Sequence, residues 1–371
     1  MNVSGCREYW FYGEGVGMLH NINTRDCPVC DACGAEGEPL YAGLEDVLYH
    51  VPGKWNISKC TDSSCGLLWL DPMLKKEEIH KAYLSYSTHQ DFIRKESLSA
   101  RILRKSYAGY RAYRYGFNPS NVSLCDKLLG MMVSVLPPTR QQMSFPFTHF
   151  DGVRKTRMLE IGCGGGDSLK IFADWGWKTE GLDFDQAAVA NARAKGLKVW
   201  HGDVFSCKYE ANSFDAIYAS HVLEHVPEPE KLLKESLRIL SPGGRCVILT
   251  PNAASVGHRW FKSFWRGLEP PRHLHIFTPE ALAGLARSAG FIDVSVKTSS
   301  RLAASIYIES EMMRKSGKTE AKASFMLKIG AMLVHYVAYV LCLVNAKSGE
   351  ELVLMGSKRN DNSPSAHNRD A

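Results

Sequence analysis

The stretch from Met158 to Asp167 reads MLEIGCGGGD and decides the fold. Its first four residues are apolar except for Glu160, which predicts a buried strand that carries one carboxylate. Glycines at 162, 164 and 166 remove Cβ atoms where the chain must turn sharply and approach a ligand closely. A helix is expected to begin near Asp167, and its unpaired N–H groups would lie beside the same ligand. The sequence therefore predicts a strand, a glycine-rich turn and a helix that hold a nucleotide-like ligand.

Charge at this turn separates two classes of cofactor. The dinucleotide fingerprint G-x-G-x-x-G needs glycine at position 167, where this chain has Asp167. A carboxylate there would repel a pyrophosphate, whereas Glu160 suits an ammonium or sulfonium group. The sequence therefore favours a cationic cofactor without phosphate.

The same residues carry a family resemblance. Glu160, Gly162, Gly164 and Gly166 match the E/D-x-G-x-G-x-G motif, so the chain resembles the class I S-adenosylmethionine-dependent methyltransferases. The resemblance implies S-adenosylmethionine as cofactor and covers residues 153–300 with a late strand at 351–357. Cys163 belongs to the cofactor-binding turn as a small apolar filler and not as a nucleophile.

Further strands are expected in register with the first. Residues 178–185 end in an acid about 20 residues after the turn, so Asp183 is the predicted ribose ligand. Residues 197–204 and 213–220 form the next two strands, and a turn at 241–244 leads into a strand over 245–250. The resemblance implies that Asp203 contacts the adenine amine and that Val204 lies against the ring. Phe184 and Ser220 complete the predicted cofactor-binding set.

Helical patterns separate these strands, which predicts an α/β fold: a Rossmann-like, doubly wound, mostly parallel sheet with its ligand at the carboxyl ends of the strands. At 371 residues and 45% hydrophobic content, the chain is long enough for a main domain with appendages. We divide it into a zinc-ribbon leader (1–75), a helical linker or lid (76–150), a methyltransferase core (151–302), an apolar helical insertion (303–345), a final core strand (346–357) and a disordered tail (358–371).

Cysteines cluster near the N-terminus. Cys30 and Cys33 form one pair and Cys60 and Cys65 a second, and glycine follows the second thiol of each. Four thiolates so placed suit a structural Zn²⁺. Cys27 with Cys30 is a competing first pair, and buried free thiols are the alternative to a metal site. Residues 65–72 resemble the zinc-ribbon leader of a bacterial subgroup of these methyltransferases.

The first 25 residues lack a basic start followed by an apolar run, so a cytoplasmic location is expected. Two later segments suggest attachment to the inner membrane surface. Residues 91–115 form a basic segment with interleaved tyrosines, which suits anionic lipid, nucleic acid phosphates or a solvated helix face. A short apolar helix over 122–136, ended by two prolines, favours lipid. The charged residues of the basic segment are Arg94, Lys95, Arg101, Arg104, Lys105, Arg111 and Arg114, opposed by Asp91 and Glu96.

Residues 325–344 are apolar and long enough to span a membrane. A single crossing would place the final strand on the wrong side, so this segment is expected to lie in the interface, to re-enter, or to pack against protein. Peripheral or monotopic attachment is favoured because basic residues lie beside it, namely Arg314, Lys315, Lys318, Lys322 and Lys328.

Methyl transfer to oxygen needs a proton acceptor, and histidines are the candidates. His221, Glu224 and His225 follow the fourth strand, and their spacing predicts one helical face. Related quinone-precursor O-methyltransferases carry E-x-x-E-H here and bind a divalent cation, but His221 replaces the first acid. In the loop 265–278, His273 or His275 is a second candidate base, and Arg272 a group that could hold an acidic acceptor. Packing roles are the alternative for each histidine.

The predicted function is S-adenosylmethionine-dependent methylation of a small-molecule, glycan or lipid-linked acceptor, with O-methylation favoured. Methylation of carbon, nitrogen, protein or nucleic acid is the alternative, as is a non-catalytic cofactor-binding module. No Asn/Asp-Pro-Pro-Tyr/Phe motif follows the fourth strand, which argues against a nucleic acid base as acceptor.

Overall fold

The computed structural model describes residues 22–84, 97–117, 122–317 and 323–360. We call residues 22–84 the N-terminal part. It contains β1 (Thr24–Arg25), β2 (Gly37–Leu44), β3 (Trp55–Cys60), β4 (Leu68–Leu70), β5 (Met73–Leu74) and a 3-10 helix (Lys76–Tyr83). Three helices follow: α1 (Leu98–Tyr115), α2 (Leu124–Val133) and α3 (Pro137–Ser144).

Strands and helices then alternate. In chain order they are β6 (Arg157–Ile161), α4 (Asp167–Asp174), β7 (Lys178–Asp183), α5 (Gln186–Ala194), β8 (Val199–His201), β9 (Phe214–Ser220), α6 (Pro229–Ile239) and β10 (Leu240–Pro251). The remaining elements are α7 (Val256–Phe261), β11 (His275–Ile276), α8 (Pro279–Ser288), β12 (Ile292–Ser299), α9 (Ala303–Ser316), α10 (Phe325–Val344) and β13 (Glu351–Ser357).

The central sheet has the order β12-β13-β10-β9-β6-β7-β8. Strands β8, β7, β6, β9 and β10 are parallel, whereas β13 runs antiparallel to both of its neighbours. The chain winds outward from β6 to β8, returns to β9 and winds the other way, so the order reverses between β6 and β9. Ligands of such sheets bind at this switch point, outside the carboxyl ends of the strands.

The predicted α/β sheet is confirmed, and strands form at all the predicted positions. Two details differ. The predicted turn at 241–244 is a break in pairing within β10, because its register with β9 shifts between Leu240 and Arg245. The helix predicted over 122–136 forms as the shorter α2, and the two prolines after it begin a separate helix, α3. The sequence analysis missed β12, an edge strand that is only half-buried.

A second sheet has the order β11-β4-β3-β2 and joins the N-terminal part to the core. Its strand β11 comes from the loop after α7, far along the chain, and pairs antiparallel with β4. Buried Trp69 and Ile57 of this sheet belong to the same hydrophobic cluster as Leu159 and Ile248 of the central sheet. The N-terminal part therefore shares the core of the main domain.

Helix α1 is less of a basic surface than its sequence suggests. Arg111 donates to the main-chain oxygens of Met143 and Phe145, and Tyr110 is buried. Arg101, Arg104 and Arg114 are exposed. The predicted charges at Asp91, Arg94, Lys95 and Glu96 lie outside the described residues.

Helix α10 exposes most of its apolar surface. Among the described helices it alone has the length and composition that a membrane crossing requires, and only 11% of its most apolar window is buried. Arg314 and Lys315 beside it both pair with Glu311, and Lys328 is exposed. Lys318 and Lys322 are outside the described residues.

The first residues of the predicted disordered tail, 358–360, lie among the described residues. Lys358 continues the fold after β13, since its ammonium donates to the side-chain oxygen of Asn212 and to the main-chain oxygens of Arg238 and Leu240. Residues 361–371 are not among the described residues.

Candidate active site

The glycine-rich turn follows β6 at the switch point of the sheet. Gly162, Gly164 and Gly166 all have left-handed backbones, with φ of 68°, 51° and 82°. A Cβ on Gly162 would lie 2.4 Å from Val222 Cγ2, and one on Gly166 would lie 2.5 Å from Leu197 Cδ1. At these two positions glycine is therefore required by the backbone and by neighbouring protein atoms, in addition to any ligand.

Asp183 ties the end of β7 to this turn. Its buried carboxylate accepts hydrogen bonds from the N–H of Gly164 (2.8 Å) and from that of Asp185 (2.9 Å). The carboxylate predicted for the ribose thus lies beside the turn, across the end of β6.

Glu160 lies buried beneath the turn. Ser168 of α4 donates to its Oε1, while Oε2 has no protein partner among the described residues. Burial raises the pKa of Glu160 to about 8. A buried carboxyl with an unpaired oxygen fits a cationic ligand better than a phosphate, because a nearby cation would favour its ionised form.

Asp167 gives weaker evidence against phosphate than the sequence suggested. Lys195 donates to the Asp167 carboxylate (2.7 Å) and to the main-chain oxygen of Gly165 (2.8 Å). This ammonium offsets the charge of Asp167. The preference for a cationic ligand over a phosphate therefore rests on Glu160 and Asp183.

The predicted adenine-side residues follow β7 and β8. Phe184 is 57% exposed, whereas Val204 is 1% exposed and packs in the core. Asp203 accepts hydrogen bonds from the N–H groups of Phe205 and Ser206 within its own turn. Ser220, the last residue of β9, is half-buried. These residues lie at the same edge of the sheet as Asp183.

His221 is part of an ion-pair network. Its ring nitrogens donate to Glu224 (3.1 Å) and to Glu351 at the start of β13 (3.0 Å), and Arg301 also pairs with Glu351. Burial alone would lower the pKa of His221, but the two carboxylates raise it to about 10. The ring is therefore cationic at neutral pH, which argues against His221 as a proton acceptor.

The predicted helical face does not form, because the 3-10 turn covers only residues 223–225 and His221 has a φ of 55°. His225 instead meets His273, with ring centroids 4.8 Å apart. Nitrogens of both rings and a carboxylate oxygen of Glu224 lie within 4.8 Å of one another. Three such donors could share a proton or hold a divalent cation.

Main-chain carbonyls fix the tautomers of this histidine pair. The Nδ1 atom of His225 donates to the oxygen of Arg272 (3.0 Å), and that of His273 donates to the oxygen of Gly267 (2.7 Å). Each Nε2 therefore carries the lone pair when the ring is neutral. Burial lowers the pKa of His273 to about 4, so this ring is neutral at pH 7.

Two other candidates in the same loop have structural partners. Arg272 is buried and forms two hydrogen bonds to Asp46 (2.7 and 2.9 Å) and one to Glu269 (2.8 Å), so it is not available to an acidic acceptor. His275 is buried and contacts Asp31 (3.0 Å), which lies between Cys30 and Cys33. Both residues connect the core to the N-terminal part.

The thiols of Cys30, Cys33, Cys60 and Cys65 come together, with all four sulfur atoms within 4.8 Å of one another. Gly34 and Gly66 have left-handed backbones, as expected for turns that follow metal-binding pairs. Cys27 lies apart from this cluster, and its thiol contacts the main-chain oxygen of Arg25. The cluster has the donors that a tetrahedral zinc site needs.

Sequence reasoning missed several residues of the site. No local sequence pattern marks these residues, because each contacts a partner far along the chain. They are Tyr83, Asp46, Arg301 and Glu351.

Comparisons with known proteins find relatives among the methyltransferases. Residues 134–296 match a family model described as a methyltransferase domain. A ubiquinone biosynthesis O-methyltransferase from Idiomarina loihiensis is 27% identical over 38% of this chain and 58% of its own length. A demethylmenaquinone methyltransferase from Renibacterium salmoninarum is 36% identical over 25% of this chain and 40% of its own. The chain thus spans less than two thirds of these relatives.

A solved structure, Haemonchus contortus phosphoethanolamine N-methyltransferase 2 in complex with S-adenosylmethionine, is 16% identical. The alignment covers 85% of this chain and 72% of that one, with a TM-score of 0.42.

Proposed function

This chain belongs to the class I S-adenosylmethionine-dependent methyltransferases, and we propose that it methylates an oxygen atom of a small-molecule acceptor. The proposal rests on two sets of residues that lie at one edge of the sheet. The glycine turn, Glu160 and Asp183 occupy the ends of β6 and β7, and the histidine pair lies beyond the end of β9. A donor site and a proton acceptor therefore adjoin at the switch point.

S-adenosylmethionine, when bound, supplies an activated methyl group on a sulfonium. The chain must then hold the cofactor, orient the acceptor, exclude water and receive a proton. We assign the cofactor to Glu160, Gly162, Cys163, Gly164, Gly166, Asp183, Phe184, Asp203, Val204 and Ser220. The unpaired oxygen of Glu160 and the carboxylate of Asp183 support this assignment.

We assign the proton acceptor to His225, with His273 and Glu224 behind it. His225 is half-buried, whereas His273 and Glu224 are buried, so His225 is the member of the cluster nearest to solvent. Its Nε2 carries the lone pair because Nδ1 is bonded to the Arg272 oxygen. O-methylation fits this arrangement, since a hydroxyl must lose its proton. The names of the two relatives, which concern ubiquinone and menaquinone, support a small-molecule acceptor.

We further propose that the four-cysteine cluster holds one structural Zn²⁺. Among the described residues the site has four thiol donors, which fill a tetrahedral coordination shell and leave no open position for catalysis.

We also propose that α10 attaches the protein to a membrane surface and that the acceptor is lipid-linked. The exposed apolar residues of α10 support attachment: Phe325, Met326, Met332, Leu333, Val337, Val340, Leu343 and Val344. A crossing is disfavoured because β13, which follows α10, lies inside the central sheet. The helix would therefore lie in the interface.

The test is transfer of labelled methyl from S-adenosylmethionine into acceptors of a native cell extract, followed by partition between organic and aqueous phases. Label in the organic phase is expected, and label confined to the aqueous phase would contradict a lipid-linked acceptor. His225→Gln should lower the transfer rate by about 10²-fold or more without changing cofactor affinity. The exposed His80→Gln is the matched control and should retain the rate. A fully active His225→Gln would exclude this residue as base.

A further inference from the structure

Tyr83 is the last residue of the 3-10 helix in the N-terminal part, and its ring lies over the edge of the central sheet. The ring centroid is 5.1 Å from that of Phe184 and 6.0 Å from that of His225, and both contacts are edge to face. Phe184 follows β7, His225 follows β9, and β6 lies between these strands. Tyr83 therefore contacts residues on both sides of the end of β6, where the glycine turn begins.

Arg272 holds Tyr83 in this position. Its guanidinium donates to the main-chain oxygen of Ala82 (3.4 Å), next to Tyr83, while Asp46 and Glu269 bind the rest of the group. The main-chain oxygen of Arg272 accepts the hydrogen bond from His225. One buried arginine thus places Tyr83 through its side chain and His225 through its main chain.

We infer that Tyr83 is a cofactor-contacting residue, supplied by the N-terminal part, whose ring meets the sulfonium end of S-adenosylmethionine. This inference rests on the proposed function. Tyr83 is half-buried, so part of the residue is accessible at this edge of the sheet. An aromatic face attracts a cation through its quadrupole. The product S-adenosylhomocysteine has a neutral thioether in place of the sulfonium, so the ring should favour substrate over product.

Calorimetric titration of the full chain with each of the two ligands tests this. Tyr83→Leu keeps apolar bulk but removes the aromatic face, so it should weaken S-adenosylmethionine binding roughly tenfold while changing S-adenosylhomocysteine binding less than about twofold. Tyr83→Phe should retain both affinities. Tyr41→Leu is the matched control, because Tyr41 is also a half-buried tyrosine of the N-terminal part but contacts His258. Its ratio of the two affinities should equal that of the wild type.

Retained binding of S-adenosylhomocysteine by Tyr83→Leu would demonstrate that the variant is folded. Equal weakening of both ligands, or no change in either, would overturn the sulfonium contact. If the wild type bound neither ligand, the proposed function itself would fail, so the two failures are distinguishable.

Discussion

At the scale of single residues, His221 illustrates how burial and charge set a role. It has a left-handed backbone that a non-glycine residue rarely adopts, and two buried carboxylates hold its ring. The ion pairs offset the cost of this conformation. His221 therefore orders the segment after β9, which carries Glu224 and His225.

The stability due to His221 should depend on pH. Its pKa in the folded chain is about 10, against an ordinary value near 6.5. Its contribution to the free energy of unfolding is therefore complete below about pH 6.5 and is lost as the pH rises through 10. Urea unfolding of His221→Gln should show a larger destabilisation at pH 6 than at pH 9.5. A pH-independent difference would contradict the ion-pair account.

Residue-scale chemistry was only partly predictable. The spacing of His221 and Glu224 predicted a shared helical face, which does not form, although the two side chains are hydrogen-bonded. Glu351 is 130 positions away and reaches His221 only because β13 inserts beside β10. No local pattern encodes that pairing, so the sequence analysis retained His221 as a candidate base.

At the scale of elements, the two cysteine turns predict a metal requirement. Wild-type protein should contain about one zinc per chain, and Cys60→Ser should lose it, because a closed tetrahedral site needs all four ligands. Cys27→Ser is the control, since Cys27 lies outside the cluster. Metal analysis showing a folded, metal-free wild type would contradict the zinc proposal, and zinc loss on Cys27→Ser would favour the competing pair.

The exposed face of α10 predicts membrane binding. Val337 and Val340 are 57% and 55% exposed. Replacing both with glutamate should weaken sedimentation with phosphatidylglycerol vesicles at least about tenfold, because each valine would lose its burial in lipid. Val29→Glu, at a 48% exposed valine of the N-terminal part, should leave sedimentation unchanged. Unchanged binding by the double variant would assign α10 to another role.

Elements with a strong local pattern were predictable. Strand β6 is a short, mostly apolar run that ends at a glycine, strand β7 ends in an acid, and both form where expected. Strand β11 is two residues long and exists only because it pairs with β4, so tertiary contact creates it.

At the scale of the whole molecule, the N-terminal part and the core fold as one unit. The buried Asp46–Arg272 pair joins them, and Asp46 also accepts hydrogen bonds from the N–H groups of Leu48, Tyr49 and Val51. The arginine lowers the pKa of Asp46 although burial opposes this shift. The same pair supports the loop that carries His273.

Breaking this pair should destabilise the entire chain. Asp46→Asn removes one of the two carboxylates that neutralise the buried Arg272 charge, so the free energy of unfolding should fall by about 3 kcal/mol. Asp46→Leu with Arg272→Met should recover part of the loss, because both charges are removed. Urea unfolding followed by tryptophan fluorescence measures both. A loss below about 0.5 kcal/mol would exclude this pair as a structural link.

The most direct test of the central claim is titration with S-adenosylmethionine of wild type and Gly164→Arg, with zinc content measured on both. Gly164 has a left-handed backbone and donates its N–H to Asp183, so arginine there should distort the turn that would hold the cofactor. We expect the wild type to bind the cofactor and Gly164→Arg not to bind it, while the zinc content of both is equal. Cofactor binding by Gly164→Arg with wild-type affinity would contradict the assignment of the site.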